Sequence, residues 1–311
     1  MKRTLLSLIA TACIVATLSA QQETYDFLRV DVSARSAALN GSFVSMKDDP
    51  NVLFYNPAAL GTLSRPKISA SYLDYLLDVN MGSLSYAQNI EGIGNIGAGI
   101  TYINYGSFDR TDENLNIIGT FGAKELAFIT GIAAHYDDDI LVGVNVKYIY
   151  SSIADYSSNA LAVDLGFLYD IPSQNLTIGG SILNLGKQLK TYAGTTESLP
   201  LDVIFGITKR PEHLPMFLNL DFHRLNEKGN TFWDRFSVFT VGSEILMSES
   251  FRLRVGYNNK QRQDFKMGTS AALSGFSMGA GIILKDYQFD YAYNSYGNIG
   301  GLHRISLGMS L

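Results

Sequence analysis

From about residue 66 to the last residue, apolar positions alternate with small or polar ones in stretches of about ten residues. Each stretch ends at a Gly, Asn, Asp or Pro. Between positions 140 and 150 the even positions are all apolar, whereas the odd positions include Gly143, Asn145 and Lys147. A period of two predicts a β-strand with one apolar face, since a helix would scatter both sets around its circumference.

The same division recurs along the chain, for example over 161–169 and over 251–257. An antiparallel sandwich also alternates, but it buries its apolar face and exposes a charged one. Here the second face consists mostly of Gly, Ser, Ala, Asn and Thr. That composition favours an all-β fold of the transmembrane antiparallel β-barrel type, in which lipid covers the apolar face.

Fifteen stretches read as candidate strands, and bacterial single-chain barrels use even numbers of strands. We therefore expect about fourteen, with the surplus stretch lying between 264 and 294 or at the first position. Three long links, 106–124, 189–200 and 225–233, are expected to form outer loops. The candidate strands are 66–76, 80–90, 94–105, 124–136, 139–151, 159–171, 174–186, 200–209, 213–223, 235–247, 250–259, 264–273, 276–284, 287–294 and 301–311.

The composition supports a membrane barrel. The chain has 18 Tyr and 17 Phe but one Trp, and only 17% of its residues are charged. Aromatic girdles at the two membrane interfaces would use such a supply. Removing Lys2 and Arg3 with a signal peptide changes the net charge from −5 to −7, and this mild acidity argues against nucleic acid as a partner.

The N-terminus has the pattern of a secretory signal peptide over residues 1–20, with a basic start, an apolar stretch and small residues at Ser19 and Ala20. The alternative is a lipoprotein signal that uses Cys13, but Ala10 fits poorly three positions before it. Since Cys13 is the only cysteine, a chain from which the signal peptide is removed would offer no disulfide and no thiol chemistry.

An irregular segment, residues 21–65, precedes the strands of the barrel domain, residues 66–311. In it, Ser33 is expected to cap a short helix over 34–39. Residues 33–60 of this segment read SARSAALNGSFVSMKDDPNVLFYNPAAL. This stretch resembles the N-terminal motif of the PorV/PorQ family, outer-membrane barrels related in fold to the FadL transporters. That resemblance implies a FadL-like barrel of about 14 strands with residues 21–65 as an internal plug, structural or gating. The plug-motif residues are Asp48, Asp49, Pro50, Asn56, Pro57 and Ala58.

Further stretches resemble the PorQ branch of this family, including TYINYGSFDRTDENLNIIGTF, SSIADYSSNALAVDLGFLYD and FRLRVGYNNKQR. The resemblance implies a non-enzymatic subunit of the type IX protein secretion system, located in the outer membrane after signal-peptide cleavage and in contact with its lipid. It also implies a PorZ-like surface protein as partner in the attachment complex, together with a PorU-like sortase and PorV. The alternative, which the FadL relation supports, is a transporter of hydrophobic small molecules.

The residues that catalysis or metal binding would need are not in suitable patterns. The four histidines show no HExxH spacing, and no GxSxG elbow is present. We therefore expect no cofactor, no metal and no catalytic residue. Charges that lipid would not tolerate are expected inside the barrel or near an interface, and one long link is expected to touch a partner. The lumen charges are Lys147, Asp164, Arg252, Arg254, Asp290 and Arg304; the link comprises Phe108, Asp109, Arg110, Thr111, Asp112 and Glu113.

Overall fold

The computed structural model describes residues 23–75, 79–227, 231–265 and 273–311. The predicted signal peptide over residues 1–20, with Cys13, lies outside these ranges. Among the described residues, no helix is long and apolar enough to cross a membrane.

Fourteen strands form one closed antiparallel barrel in the described part of the chain. Each strand pairs with its neighbours in the sequence, and β1 closes the barrel against β14 through pairs from Lys67↔Ser310 to Asp74↔His303. The strands are β1 (Lys67–Asp74), β2 (Asn80–Ile90), β3 (Gly94–Thr111), β4 (Ile117–Asp137), β5 (Ile140–Ile153), β6 (Tyr156–Ile171), β7 (Leu176–Lys190), β8 (Asp202–Lys209), β9 (Met216–Phe222), β10 (Phe239–Leu246), β11 (Phe251–Asn258), β12 (Phe276–Leu284), β13 (Tyr287–Ser295) and β14 (Gly301–Ser310).

The predicted barrel and its strand number are confirmed. The surplus candidate strand was the one at 264–273. The described residues include the short helices α1 (Ala34–Ala38), which Ser33 caps, and α2 (Asn259–Asp264). The first residue of the surplus stretch, Asp264, is the last residue of α2. Most of the stretch falls outside the described residues, and the barrel closes without it.

The two faces of the strands separate as the alternation predicts. On β5, Val142, Val144 and Val146 are exposed on the outside, whereas Asn145 and Lys147 are buried inside. An apolar outer face of this kind suits a hydrocarbon environment, and closure of the barrel leaves no open sheet edge in the described wall.

The two ends of the barrel differ. Short turns at 91–93, 138–139, 172–175, 210–215, 247–250 and 285–286 lie at the end where β1 starts and β14 finishes. The connections at the other end include the long segments 191–201, 223–238 and 259–275. Because such barrels have short periplasmic turns and longer extracellular loops, we call these the inner and outer ends.

The expectation of an outer loop over 106–124 is wrong. Strands β3 and β4 continue past their neighbours, since β2 pairs with β3 only as far as Asn104 and β5 pairs with β4 only from Ala123. Residues 105–122 therefore form a two-stranded hairpin beyond the barrel wall, here called the outer ribbon. A β-bulge between Asn104 and Ser107 marks its base.

Residues 23–66 run through the inside of the barrel and are called the plug. The plug contains α1 and 3-10 turns at Asp26–Arg29, Pro50–Phe54 and Pro57–Thr62. Ser33 caps α1, as predicted, by accepting a hydrogen bond from the Ser36 backbone N–H. Apolar plug residues such as Val52, Leu53 and Leu60 are fully buried and form a hydrophobic cluster with wall residues that include Ile129 and Leu168.

Candidate functional site: the plug and the outer mouth

Glycines on the inner face of the wall let the plug approach the strand backbone. A Cβ added at Gly143 would lie 2.4 Å from the carbonyl carbon of Pro57, and one at Gly179 would lie 2.4 Å from the Val44 oxygen. Only glycine fits where another backbone comes this close. Inward glycines in contact with the plug occur on β3 to β8 and on β10 to β12, at Gly97, Gly99, Gly131, Gly143, Gly166, Gly179, Gly206, Gly242, Gly256 and Gly279.

The Asn56-Pro57-Ala58 motif lies at the centre of this contact. Asn56 is fully buried, and its Oδ1 accepts from the Ala58 backbone N–H at 3.1 Å. Its Nδ2 donates to the Val44 carbonyl at 2.7 Å and to the Phe167 carbonyl of β6 at 3.0 Å. Pro57 begins the 3-10 turn, where its missing N–H costs nothing. One asparagine thus joins two plug segments and the wall.

The Asp48-Asp49-Pro50 motif lies toward the inner end. Asp49 caps the turn that Pro50 begins, and its Oδ1 accepts from the Asn51 backbone N–H at 2.9 Å. Asp48 has a positive φ of 58° and pairs with Lys67 at the start of β1 at 2.8 Å. The Asp48–Lys67 ion pair therefore connects the motif to the inner end of β1.

A chain of buried ion pairs connects the plug to the wall. Arg35 in α1 pairs with Asp49 at 3.1 Å and with Glu244 of β10 at 2.9 Å. Arg254 pairs with the same Glu244 at 2.5 Å and with Asp290 of β13 at 2.6 Å. These five residues alternate in charge, which is how buried charges are stabilised in a low-dielectric interior.

The six predicted lumen charges differ in burial and in partner. Arg254 and Asp290 belong to the network above, while Lys147 and Asp164 pair at 3.0 Å on β5 and β6. Arg304 is buried on β14. Arg252 is half-buried near the inner end and donates to the Ser248 carbonyl in the adjacent turn.

Arg35 and Glu244 are structural site residues that the sequence did not single out. Arg35 lies in the Ala-rich helix of the plug, where it reads as an exposed charge, although its side chain is only 14% exposed. On β10, Glu244 occupies an inward position, and the other residues of the strand are uncharged. A single charge at an inward position was the sequence signal that could have identified Glu244.

A cavity of about 670 Å³ lies between the plug and the outer end of the barrel. Its lining mixes aromatic and charged residues, including Tyr55, Tyr75, Tyr296, Arg29 and His223. A second space of about 40 Å³ near Asp48 and Asp49 lies toward the inner end. The plug stands between these two spaces.

His223 and Asp202 form an ion pair beside the outer cavity, with 3.7 Å between Nδ1 and Oδ2. Burial by itself lowers the pKa of His223, but the attraction of the Asp202 carboxylate outweighs burial and raises the pKa above its ordinary value. His223 is therefore more readily protonated here than in an unfolded chain.

The predicted partner-binding residues lie on the outer ribbon. Phe108 to Thr111 belong to β3, whereas Asp112 and Glu113 lie in the turn at its tip. Phe108 stacks on Phe121 with 5.5 Å between ring centroids. By alternation from buried Glu125, Phe121 lies on the face that continues the lumen wall above the mouth.

The tip of the ribbon is ordered by its own side chains. The Asp112 carboxylate accepts from the backbone N–H groups of Asn114 and Asn116 at 2.8 and 2.9 Å. The hydrogen bond from the Asn116 side chain holds the pKa of Asp112 below its usual range. The neighbouring Leu115 is 83% exposed, so the tip presents apolar surface to its surroundings.

In the part of the chain that the structure describes, no group of three or more His, Cys, Asp or Glu side chains could hold a metal ion.

Comparisons with known proteins identify the fold. No protein-family model and no curated protein matches the chain. Among solved structures, the toluene transporter TbuX of Ralstonia pickettii superposes with a TM-score of 0.62 at 12% identity, over 90% of this chain and 98% of that one. The toluene transporter TodX of Pseudomonas putida gives 0.59 at 12% identity, over 93% and 98%.

A FadL homologue of Pseudomonas aeruginosa superposes with a TM-score of 0.54 at 10% identity, over 94% of this chain and 100% of that one. At such identities the similarity is one of fold. The protein thus has the FadL-like outer-membrane β-barrel fold, closed by 14 antiparallel strands.

Proposed function

We propose that this protein anchors a cell-surface protein as a non-enzymatic subunit of the type IX protein secretion system. The observation that carries the proposal is the contact between the plug and the glycines of nine strands, which is closest at Gly143 and Gly179, where a Cβ would lie 2.4 Å from the plug backbone. A barrel filled in this way is suited to binding at its mouth. The sequence resemblance to the PorQ branch is the basis for naming the secretion system and the class of partner. That partner is a PorZ-like surface protein, with a PorU-like sortase and PorV in the same complex.

The outer ribbon is the surface proposed to hold the partner. It extends beyond the wall, its two strands pair only with each other over residues 105–122, and its tip carries exposed Leu115, Ile117 and Ile118. Free strand edges and exposed apolar side chains on a rigid hairpin are features that protein interfaces use.

A photocrosslinking amino acid in place of Phe108, in cells of the source organism, tests this proposal. We expect a crosslink to a large surface protein that mass spectrometry identifies as PorZ-like or sortase-like. The same amino acid in place of Phe289, which faces lipid on β13, is the matched control and should give no such product. Equal products from both positions, or none from the ribbon, would contradict the anchor function.

Transport of hydrophobic small molecules is the second candidate. It is supported by the solved neighbours, two of which are named as toluene transporters, and these names support it more directly than they support secretion. The outer cavity, with Tyr55, Tyr75 and Tyr296 in its lining, would be the entry site. Since the plug fills the space below it, passage along the barrel axis would require the plug to move.

A reversible lock on the plug distinguishes the two candidates. Ser45 of the plug and Thr208 of β8 are hydrogen-bonded side chain to side chain at 2.7 Å, so these two neighbouring positions are chosen for a pair of cysteines that oxidation would cross-link. If the protein transports by moving the plug, uptake of labelled toluene should stop in the Ser45→Cys/Thr208→Cys variant and return on reduction. If it anchors, the crosslink from position 108 should persist in the locked protein.

A further inference from the structure

A row of aromatic side chains crosses the outside of the barrel near its outer end. Phe222 of β9 pairs directly with Phe205 of β8 and with Phe239 of β10. The ring of Tyr257 on β11 lies 6.1 Å from that of Phe239 and 5.1 Å from that of Phe276 on β12. These five positions alternate with buried inward residues, so the row faces lipid. Such a row is the aromatic girdle of a membrane interface.

The loop between β9 and β10 extends this row outward. Its 3-10 turn, Phe232–Phe236, places the ring of Phe236 at 5.4 Å from that of Phe222, edge to face. The ring of Trp233 follows at 6.2 Å from Phe236, and Trp233 is 76% exposed. Thr231 and Asp234 hold the turn through a hydrogen bond of 2.7 Å from the Thr231 N–H to the Asp234 carboxylate.

We propose that this turn is an interfacial anchor, with the indole of Trp233 inserted among the headgroups of the outer leaflet. The occupant of the exposed aromatic surface is lipid, because the surface is continuous through Phe236 and Phe222 with a row that already faces lipid. An indole suits this depth, since its ring is apolar and its N–H can bond to headgroup oxygens. Exposed Arg235, in the same turn, supplies a cation for anionic headgroups.

The anchor has a consequence for the outer end of the barrel. It holds the turn Phe232–Phe236 against the membrane on the β9–β10 side, across the barrel from the outer ribbon on β3 and β4. The proposal is independent of whether the protein anchors a partner or transports a small molecule.

Trp233 is the only tryptophan of the chain, so its fluorescence reports on this turn alone. The probe is purified protein folded into phosphatidylcholine vesicles, with and without lipids brominated at a shallow or a deep acyl position. We expect emission at shorter wavelength than in the urea-unfolded protein, and stronger quenching by the shallow than by the deep bromine. Emission of a solvated indole, quenched by acrylamide but not by brominated lipid, would overturn the proposal and leave the surface to a protein partner.

A matched variant tests whether the whole outer end of the barrel adsorbs to lipid or only the turn that carries Trp233. In Trp233→Phe/Leu115→Trp the single indole moves to the tip of the outer ribbon, and the barrel residues are unchanged. We expect its emission to be that of a solvated indole, insensitive to brominated lipid. If both proteins are quenched alike, the outer end lies on the membrane as a whole and the specific anchor is refuted.

Discussion

Arg35 of the plug and Glu244 of strand β10 form a two-point ion pair inside the barrel, with Nε–Oε2 and Nη2–Oε1 distances of 2.9 Å each. The guanidinium also lies 5.7 Å from the centre of the Phe43 ring, within the plug. Parallel N–H···O bonds of this kind define orientation as well as distance. The pair therefore sets how the first helix of the plug sits against the wall.

Loss of the Arg35 cation should destabilise the protein strongly. In Arg35→Met, Asp49, Glu244 and Asp290 remain buried with Arg254 as the single cation of the network. Breaking a buried pair from one side typically costs about 3 to 5 kcal/mol. Urea-dependent unfolding in detergent micelles, followed by circular dichroism, measures the change.

The control for Arg35→Met is Arg65→Met. Arg65 pairs with Asp286 at 3.3 Å, but both side chains are more than half exposed. Exposed pairs contribute about 0 to 1 kcal/mol, so this variant should unfold nearly as the parent does. Equal losses in the two variants would show that the buried network does not hold the plug.

Of two adjacent glycines on β7, only one should be sensitive to an added methyl group. The Cβ of Gly179→Ala would lie 2.4 Å from the Val44 oxygen of the plug, whereas that of Gly180→Ala would lie 3.8 Å from its nearest neighbour, the Ile204 oxygen. Overpacking a filled interior costs about 1 to 3 kcal/mol. We expect Gly179→Ala to unfold more readily and to raise ion conductance in planar bilayers, with Gly180→Ala unchanged in both.

The stability of the barrel should depend on pH through His223. The pKa of His223 is raised on folding above its ordinary value of 6.5. Its contribution to the free energy of unfolding is therefore complete below pH 6.5 and is lost as the pH rises through the folded pKa. The free energy of unfolding should thus fall over this interval. In His223→Gln this fall should be absent, whereas His213→Gln, at an exposed position in an inner turn, should retain it.

Single cysteines should report which end of the barrel faces the cell exterior. The mature chain has none after removal of the predicted signal peptide, so Asn114→Cys at the ribbon tip and Ser173→Cys in an inner turn are clean probes. A membrane-impermeant maleimide should label position 114 in intact cells. Position 173 should react only after the cells are opened, and the reverse pattern would invert the assigned ends.

The sequence alone determined the alternating strands in outline, the side of each strand that faces lipid and the existence of an irregular N-terminal segment. It predicted one strand too many, at 264–273, and a loop where β3 and β4 continue. The features that it determined are local, because a period of two in hydrophobicity places residues such as Val142 and Asn145 on opposite faces whatever the rest of the chain does. The capping of α1 by Ser33 was predictable for the same reason: donor and acceptor lie three residues apart.

Only the tertiary structure decided what the inward face contacts. Arg35 and Glu244 are 209 positions apart, and Asn56 and Phe167 are 111 apart, so no local pattern relates them. Closure of the barrel brings them together, and the strand register decides which glycine meets which plug residue. The same holds for the outer ribbon, because the length of the link 106–124 predicted a loop, whereas cross-strand pairing extends β3 and β4 into it. Pairing partners in a barrel depend on register and closure, which a single strand does not encode.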